Sequence, residues 1–354
     1  MKKFFVLFLS FSFALLASAQ APSNYYNSAN GLTGNQLKVA LHNIIKGHTA
    51  ISYSATADAF WSTDNKGNGI VWDMYSDRPG GTPPYTYYLG QDQCGNYSAE
   101  GDCYNREHSW PQSWFNDQTT PRCDLHHIFP TDGYVNGRRS NYAFGEVGSV
   151  SWTSRNGSKL GSCKTSGFTG TVFEPIDEYK GDFARALMYM SVRYYTEDAS
   201  WSTSDMTNKS EIKPWAIQLL LRWNEQDPVS QKEINRNNVI YSSYQHNRNP
   251  FIDHPEYARM IWDPTWNVVE EETANVSIFP NPVEQGQTLH VSGNSGAYDA
   301  VGLCDLSGRT LLRAKGDAVG DFVIALPADM AQGCYVVKLM CNGVAVRYEK
   351  LLVK

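Results

Sequence analysis

Apolar residues recur at the 3.6-residue spacing of an amphipathic helix in several segments of the chain. This spacing predicts helices over residues 36–46, 182–195 and 213–224. The first helix would be capped by Thr33 or Asn35, and the third opens near Pro214, a residue that suits the first turn of a helix. Turn-rich stretches separate these helices, so the pattern indicates an α+β fold class for this part of the chain.

A different pattern begins near residue 276 and continues to residue 354. Short runs of Val, Ile, Leu and Phe alternate there with Asn, Gly, Pro and Asp. About six such runs predict a small C-terminal β-sandwich. The acidic run at residues 270–272 precedes them and is typical of a linker, which we place at 268–275. The larger domain would then occupy residues 20–267.

The N-terminus has the layout of a secretory signal peptide. Lys2 and Lys3 precede an apolar run over residues 4–16, and Ala17-Ser18-Ala19 supplies the small residues of a cleavage site. The apolar run is shorter than the roughly 20 residues that span a bilayer. We therefore expect residues 1–19 to be removed and the protein to be secreted without stable membrane insertion.

Composition narrows the classes of protein that fit. The 354 residues are 42% hydrophobic and 19% charged, which excludes a disordered chain. A formal net charge of -6 excludes a generally basic polymer-binding protein but not a local cationic site. Of the seven cysteines, Cys94 and Cys103 enclose a short loop, and a disulfide there would pin it, although spacing alone leaves the pairing open.

Polar residues that can perform chemistry are densest between residues 105 and 141. Glu107 and the side-chain carbonyl of Asn136 are oxygen ligands of the kind that Mg²⁺ prefers. His108 lies beside Glu107 and can take a proton from water near neutral pH. A hydrolytic base beside a bound cation is what phosphodiester cleavage requires.

The local pattern predicts how these residues converge. Residues 125–129 are expected to form a strand that Pro130 ends, and Thr131 would cap a helix that places Asn136 and Arg139 on one face. With the segment around Glu107 as a first strand, the unit is a strand-strand-helix hairpin. Strand alternation would point His126 and His127 to opposite faces. A zinc site formed by these two with Cys123 lacks a fourth ligand in the sequence.

These segments resemble the bacterial endonuclease I family, within the ββα-metal (His-Me finger) nucleases. The resemblance rests on Arg106-Glu107-His108-Ser109-Trp110-Pro111, Asp124-Leu125-His126-His127 and residues 135–141, with further matches at residues 173–175, 180–186 and 247–256. The blocks occur in the same order, and the resemblance covers about residues 30–265. It implies a ββα-metal nuclease domain with helices and a small mixed sheet.

The resemblance also implies an activity and roles for individual residues. The enzyme would be a secreted or periplasmic endonuclease that cuts DNA, and RNA as a second substrate, with little sequence preference. His108 would be the general base, and Glu107 and Asn136 would hold Mg²⁺, for which Mn²⁺ could substitute. We expect a monomer.

An arginine holds the product phosphate in this family, and the short segment between the motifs leaves three candidates here. They are Arg122, Arg138 and Arg139. His127, Arg248 and Asp253 are candidates for supporting the site, and a purely structural role for Arg248 and Asp253 is equally open.

The end of the chain resembles the type IX (Por) secretion C-terminal sorting domain of Bacteroidetes. The matching segments are residues 276–282, 305–309 and 350–354. The resemblance implies recognition by the type IX secretion machinery and a product that is either released or attached to the cell surface. An adhesive immunoglobulin-like module is the alternative.

Two other functions remain open at this stage. One is a non-enzymatic surface adhesin whose polar cluster binds a structural cation. The other is a metallohydrolase that acts on a small phosphate ester. Cleavage of plasmid DNA with Mg²⁺, compared with and without EDTA, separates the nuclease from both.

Overall fold

The computed structural model describes residues 21–263, 277–292, 300–305, 309–315, 321–341 and 344–354. The chain forms two compact units that divide between Asn267 and Val268. The predicted signal peptide and linker lie outside the described residues. Within the described ranges, none of the helices combines the length and apolar character that a membrane crossing needs.

The first unit is mainly helical. Its α-helices are α1 (Gly34–Ile45), α2 (Tyr53–Thr63), α3 (Thr119–Arg122), α4 (Gly133–Arg139), α5 (Lys180–Arg193), α6 (Pro214–Gln226), α7 (Gln231–Val239), α8 (Pro250–Asp253) and α9 (Tyr257–Trp262). Shorter 3₁₀ helices are Asn27–Ala29, Gln112–Phe115, Leu125–His127 and Asp177–Tyr179, and a π-helical turn, Ile240–Tyr244, follows α7. The three predicted helices are confirmed as α1, α5 and α6, with ends shifted by no more than about two residues.

Helix α5 lies at the centre of this unit, and every one of its residues is buried. Its charged residues are therefore paired: Asp182 accepts a hydrogen bond from Lys232 at 2.7 Å, and Arg185 donates to Glu233 at 2.6 Å. Buried charges without such partners would be costly. The apolar residues of α5 join the main hydrophobic core together with residues from α1 and α6.

The strands of the first unit are short. They are β1 (Asn65–Gly67), β2 (Ile70–Val71), β3 (Tyr104–His108), β4 (Ile128–Asp132), β5 (Ala143–Phe144), β6 (Val147–Thr153), β7 (Lys159–Cys163), β8 (Thr171–Glu174), β9 (Thr207–Asn208) and β10 (Glu211–Ile212). Strands β3 and β4 pair antiparallel, with His108 opposite Ile128. A four-stranded mixed sheet has the order β5-β8-β7-β6, in which only β5 and β8 run parallel.

The predicted strand over residues 125–129 is wrong in position. Strand β4 begins at Ile128 and continues through Pro130 to Asp132, because a proline is tolerated in an edge strand and both strands of a two-stranded ladder are edge strands. The preceding Leu125–His127 turn is 3₁₀, since the Asp124 side chain accepts a hydrogen bond from the His126 N–H. Helix α4 is capped by Asp132, whose carboxylate accepts from the Val135 N–H at 2.7 Å.

Thr131 is therefore not the cap that the sequence suggested. It is fully buried inside β4. The disulfide that the cysteine spacing left open is present: Cys94 and Cys103 are bonded and close a loop directly before β3. We call residues 94–103 the disulfide loop.

The second unit is built of strands within the described residues. They are β11 (Ser277–Phe279), β12 (Thr288–Ser292), β13 (Ala300–Cys304), β14 (Thr310–Lys315), β15 (Asp321–Ala325), β16 (Gly333–Cys341) and β17 (Val344–Val353). They form two antiparallel sheets with the orders β11-β12-β15 and β14-β13-β16-β17. Leu289 and Ile324 of the first sheet share one hydrophobic cluster with Val301 and Val337 of the second.

Candidate active site

A pocket of about 370 Å³ opens beside the end of β3. It is lined by Glu107 and His108 from β3 and by Asn136 and Arg139 from α4. The remaining lining residues are Arg106, Pro111, Gln112, Ser113, Ser140 and Asn141. The structure thus brings together the predicted base, both predicted metal ligands and one of the predicted arginines.

The strand-strand-helix unit explains this convergence. The β3–β4 ladder fixes the end of β3, and Asp132, the last residue of β4, caps α4. Helix α4 therefore leaves the hairpin at once and packs back on it. Because Asn136 and Arg139 are three residues apart, they lie on one face of α4 and both reach the pocket.

The imidazole of His108 is held in one orientation. Its Nε2 lies 3.0 Å from the carbonyl oxygen of Arg122, which can only accept, so Nε2 carries the proton. Nδ1 is then unprotonated and accepts a long hydrogen bond of 3.4 Å from Gln112 Nε2. The lone pair of Nδ1 is the one available for accepting a proton.

Electrostatics keep this imidazole neutral. Burial, followed by the nearby His127 and the guanidinium groups of Arg106 and Arg122, lowers the pKa of His108 to about 3. The ring of Tyr53 stacks beside that of His108, with centroids 6.1 Å apart and an angle of 20° between the planes. The guanidinium groups of Arg106 and Arg122 lie over the Tyr53 ring, at 3.7 and 4.1 Å from its centroid. His108 is therefore uncharged at neutral pH.

Glu107 is buried against a positive charge. Its Oε1 accepts a hydrogen bond from Tyr75 Oη at 3.1 Å and forms an ion pair with Arg139 Nη1 at 2.9 Å. Burial raises the pKa of Glu107 to about 7, and the charge of Arg139 and the Tyr75 hydroxyl oppose that rise. Both contacts fall on one oxygen, and none reaches Oε2 from the described residues.

Asn136 presents its carbonyl oxygen. Its Nδ2 donates to Asn105 Oδ1 at 2.7 Å and to the Arg106 carbonyl at 3.2 Å, so these bonds engage the nitrogen of the amide and leave the oxygen for a ligand. Asn136 Oδ1 and Glu107 Oε2 are hard oxygen donors in the same pocket. They fit Mg²⁺, which is commonly held by one or two protein ligands while water and phosphate complete the coordination.

No cluster of three or more His, Cys, Asp or Glu residues suited to a metal occurs in the part of the chain that the structure describes. The two imidazoles considered for zinc are both committed to backbone carbonyls. His126 Nε2 contacts the Asn247 oxygen at 3.2 Å, and His127 Nε2 contacts the Pro121 oxygen at 2.6 Å.

The candidate arginines differ in their surroundings. Arg139 is only 1% exposed, and it donates to the carbonyls of His108 and Ser109 besides pairing with Glu107. Arg122 stacks on Tyr53, and Arg138 lies over the Trp152 ring at 5.3 Å. Neither Arg122 nor Arg138 has an ion-pair partner among the described residues. Arg139 lines the pocket and supports Glu107, whereas Arg122 and Arg138 are not among the residues that line it.

The proposed supporting residues separate into two groups. His127 lies edge-on to His108, with ring centroids 5.5 Å apart, and so contacts the base directly. Arg248 and Asp253 form an ion pair at 2.6 Å, and Tyr26 also donates to Asp253. Neither Arg248 nor Asp253 lines the pocket. Their contacts connect α8 with the segment around Tyr26, which is a structural role.

Sequence reasoning missed several contributors. Tyr75 and Tyr53 come from segments without a motif, and no sequence signal indicates that they reach Glu107 and His108. Asn105 precedes the Glu-His pair directly, and Gln112 follows it by four residues. Their proximity in sequence was the only available signal.

A strand-strand-helix unit gathers a Glu-His pair and an asparagine in one polar pocket, as expected from the resemblance to the ββα-metal nucleases. Comparison with known proteins then gives the family. Residues 33–256 match the Endonuclease I family, and this chain belongs to it and is a nuclease.

Individual relatives agree with this assignment. An extracellular ribonuclease of Bacillus amyloliquefaciens is 39% identical over 265 residues, which covers 72% of this chain and 84% of the relative. One from Bacillus subtilis (strain 168) is 38% identical and covers 70% and 82%. A periplasmic deoxyribonuclease of Aeromonas hydrophila is 30% identical over 132 residues, covering 37% and 47%.

Proposed function

We propose that this nuclease hydrolyses internal phosphodiester bonds of extracellular DNA and RNA, with little sequence preference and with Mg²⁺ or Mn²⁺ as cofactor. The observation that supports the proposal is the pocket in which Glu107, His108 and Asn136 meet. A Glu-His pair alone would be weak evidence. The orientation of His108 by the Arg122 carbonyl makes the combination specific.

His108 is the general base in this proposal. A water molecule that attacks phosphorus gives its proton to Nδ1, while Nε2 keeps its own proton on the Arg122 carbonyl. The Nδ1 nitrogen needs no prior deprotonation, because the imidazole is neutral at physiological pH. Gln112 lies close enough to Nδ1 to exchange its hydrogen bond for one to the water.

Glu107 Oε2 and Asn136 Oδ1 would hold the divalent cation. When bound, the cation stabilises negative charge on the scissile phosphate and the leaving oxygen. Arg139 opposes the effect of burial on the pKa of Glu107 and so favours the carboxylate. The same arginine anchors the end of β3 through the carbonyls of His108 and Ser109.

Arg139 lines the pocket but is committed to Glu107 and to two carbonyls. Arg122 and Arg138 lie outside the pocket lining and have no ion-pair partner in the described ranges, so they are the proposed contacts to phosphates of a substrate that extends beyond the pocket. A guanidinium can donate two parallel hydrogen bonds to a phosphate. Since the chain is acidic as a whole, binding would depend on these local cations and on the metal. Affinity for the substrate should fall as salt rises.

The names of the relatives support both substrates and an exported enzyme. The two Bacillus relatives are named extracellular ribonucleases, and the Aeromonas relative is named a periplasmic deoxyribonuclease. The predicted signal peptide agrees with export. In our proposal the second unit is a β-sandwich that the type IX secretion machinery recognises, and the mature enzyme is a monomer.

Cleavage assays test this function. Supercoiled plasmid and a long RNA are incubated separately with the purified protein in Mg²⁺, in EDTA, and in EDTA followed by excess Mg²⁺. We expect nicked, linear and then shorter DNA, shortening of RNA, full inhibition by EDTA and recovery with Mg²⁺. Intact plasmid and RNA in both Mg²⁺ and Mn²⁺ would contradict the proposal, and hydrolysis of bis(p-nitrophenyl) phosphate alone would favour the small-ester alternative.

A further inference from the structure

The disulfide loop lies against the helix that carries Asn136. Its residue Tyr97 is 36% exposed, and the ring lies flat on α4 over two glycines, Gly133 and Gly137. A Cβ atom at Gly133 would come within 2.7 Å of Tyr97 Cδ1, and one at Gly137 within 2.8 Å of the Tyr97 hydroxyl oxygen. Real Cβ atoms do not approach this closely, so the Tyr97 ring can occupy this position only because both residues are glycine; a side chain at either one would force the ring to shift.

Because the two glycines have no side chains, they leave room for the Tyr97 ring on one face of the helix. They are four residues apart, so they lie one above the other along the axis. The ring of Tyr97 therefore spans a full turn of α4. Asn136 falls inside that turn, immediately before Gly137.

The disulfide loop is itself fixed in place. Cys94 and Cys103 are bonded at its base, and Asp102 Oδ2 accepts hydrogen bonds from the N–H groups of Ser98 at 2.7 Å and Ala99 at 2.9 Å. The Gly101 N–H donates to Oδ2 of Asp132, the residue that caps α4. The Cys103 carbonyl accepts from the Gly133 N–H at 2.9 Å. The disulfide and these hydrogen bonds thus hold the backbone of the loop, which carries Tyr97, against α4.

The Tyr97 ring and Gly133 also lie close to Asn105, the residue that orients the Asn136 amide. Asn105 Nδ2 lies 3.3 Å from the same Cβ position at Gly133 that the Tyr97 ring approaches. The other end of this amide, Asn105 Oδ1, accepts the hydrogen bond from Asn136 Nδ2. Tyr97, Gly133 and Asn105 therefore pack around the segment that decides where Asn136 Oδ1 points.

The geometry points to Tyr97 as a positioning residue for the metal: its ring fixes α4 and thereby holds Asn136 Oδ1 in place for the cation. Tyr97 does not line the pocket, so it acts through Asn136 and not by contact with substrate. This inference rests on the proposed function, because it needs Asn136 to be a metal ligand.

The test measures binding of Mn²⁺ alone to the full chain, by electron paramagnetic resonance, without nucleic acid. In Tyr97→Ala we expect a Kd for Mn²⁺ about tenfold higher, as is usual when a group that orients a ligand is lost. Tyr97→Phe keeps the ring and should restore binding to within about twofold. Tyr88→Ala removes a similarly exposed tyrosine, at 44%, and is the matched control that should bind Mn²⁺ normally.

A double-mutant cycle with Asn136→Ala decides whether the effect runs through the ligand. When Asn136→Ala is already present, adding Tyr97→Ala should leave the Kd for Mn²⁺ unchanged, because there is no ligand to position. The role of Tyr97 is overturned if Tyr97→Ala weakens Mn²⁺ binding equally in the parent and in Asn136→Ala, or if it does not weaken Mn²⁺ binding in the parent. Normal Mn²⁺ binding by Asn136→Ala itself would overturn the ligand assignment of the proposed function, and the positioning role with it.

Cleavage kinetics give a second readout. At saturating Mg²⁺, Tyr97→Ala should have a kcat within about twofold of the parent while the Mg²⁺ concentration for half activity rises about tenfold. A general loss of structure would lower kcat and thermal stability at every metal concentration, and that result contradicts the inference.

Discussion

At the scale of single residues, the hydrogen-bond partners of His108 determine which of its ring nitrogens carries the proton. The Arg122 carbonyl holds Nε2, and Nδ1 faces the pocket beside Gln112. Burial removes the proton that the imidazole would otherwise carry in mild acid. In the proposed function, the neutral imidazole accepts a proton from a pocket water at Nδ1.

His108→Ala should remove most nuclease activity. General bases contribute about 10²–10⁴-fold, so we expect a loss of at least about a hundredfold in plasmid nicking at saturating Mg²⁺. Thermal melting should show that the fold persists. His290→Ala, at an exposed position of the second unit, is the control and should cleave normally. Activity above about a tenth of the parent would remove His108 from its role as base.

The sequence predicted the residues that a motif names, but not those that reach the site from elsewhere. Glu107, His108 and Asn136 come together because a hairpin and a following helix are local structures with local signals. Tyr75 contacts Glu107, and Tyr97 packs on α4, from other segments, where one tyrosine in a loop is indistinguishable from any other. The sequence indicated that Arg139 shares a helix face with Asn136, yet its burial against Glu107 depends on packing that spacing does not reveal.

At the scale of elements, the turn from Pro121 to His127 joins the active site to α5. The carbonyls of Pro121 and Arg122 hold the imidazoles of His127 and His108. Asp124 fixes the conformation of this segment. This carboxylate accepts hydrogen bonds from Tyr189 at 2.8 Å and Tyr194 at 3.0 Å, at the C-terminal end of α5, and from Gln245 at 3.0 Å.

Asp124→Asn should weaken the fold in a way that depends on pH. Burial alone would raise the pKa of Asp124, but the imidazoles of His48, His126 and His127 and the hydrogen bond from Gln245 outweigh it and hold the pKa well below its usual range. A depressed pKa means that ionised Asp124 stabilises the folded state above about pH 4 and that this contribution fades as pH falls. The substitution should therefore cost about 3 kcal/mol at pH 7 and less in acid.

Urea unfolding of both proteins at pH 7 and below about pH 4, where the contribution fades, measures this difference. Asp58→Asn, at an exposed site on α2, is the matched control and should unfold like the parent at both values. A gap that stays constant or widens on acidification would show that the charge of Asp124 is not what stabilises the turn.

Elements with a strong period were predicted well, and short ones were not. The apolar stripes of α1, α5 and α6 extend over several turns, so their positions follow from spacing alone. The sequence predicted one strand over residues 125–129, but its first three residues form a 3₁₀ turn in which the Asp124 side chain accepts a hydrogen bond from the His126 N–H. A local competition of that kind leaves no periodic signal.

At the scale of the whole molecule, each unit has its own hydrophobic cluster. All residues that line the active-site pocket precede residue 142, and the match to the Endonuclease I family ends at residue 256. The strand-rich unit contributes a separate core that includes Leu289 and Val337. Units with separate cores can be parted without opening either one.

A chain that ends at Ala274 should therefore be a soluble nuclease with the full activity of the parent toward plasmid DNA. If the second unit is an export address, the same truncation should leave the enzyme in the periplasm of the native host. Nuclease activity measured in the culture medium and in periplasmic extract, for both chains, checks this prediction. Normal secretion of the shorter chain, or weaker DNA binding by it, would instead favour an adhesive or substrate-binding module.

The complete burial of α5 has a consequence for how activity is lost. Its backbone amides should exchange with solvent hydrogen mainly through large opening events, because every residue of the helix is buried in the folded state. Asp124 depends on Tyr189 and Tyr194 at the end of this helix, and His108 depends on the turn that Asp124 holds. If His108 is the base, its imidazole is thereby coupled to a helix whose residues are all buried, so cleavage should vanish together with the exchange protection of the α5 amides and not in an earlier, partial opening.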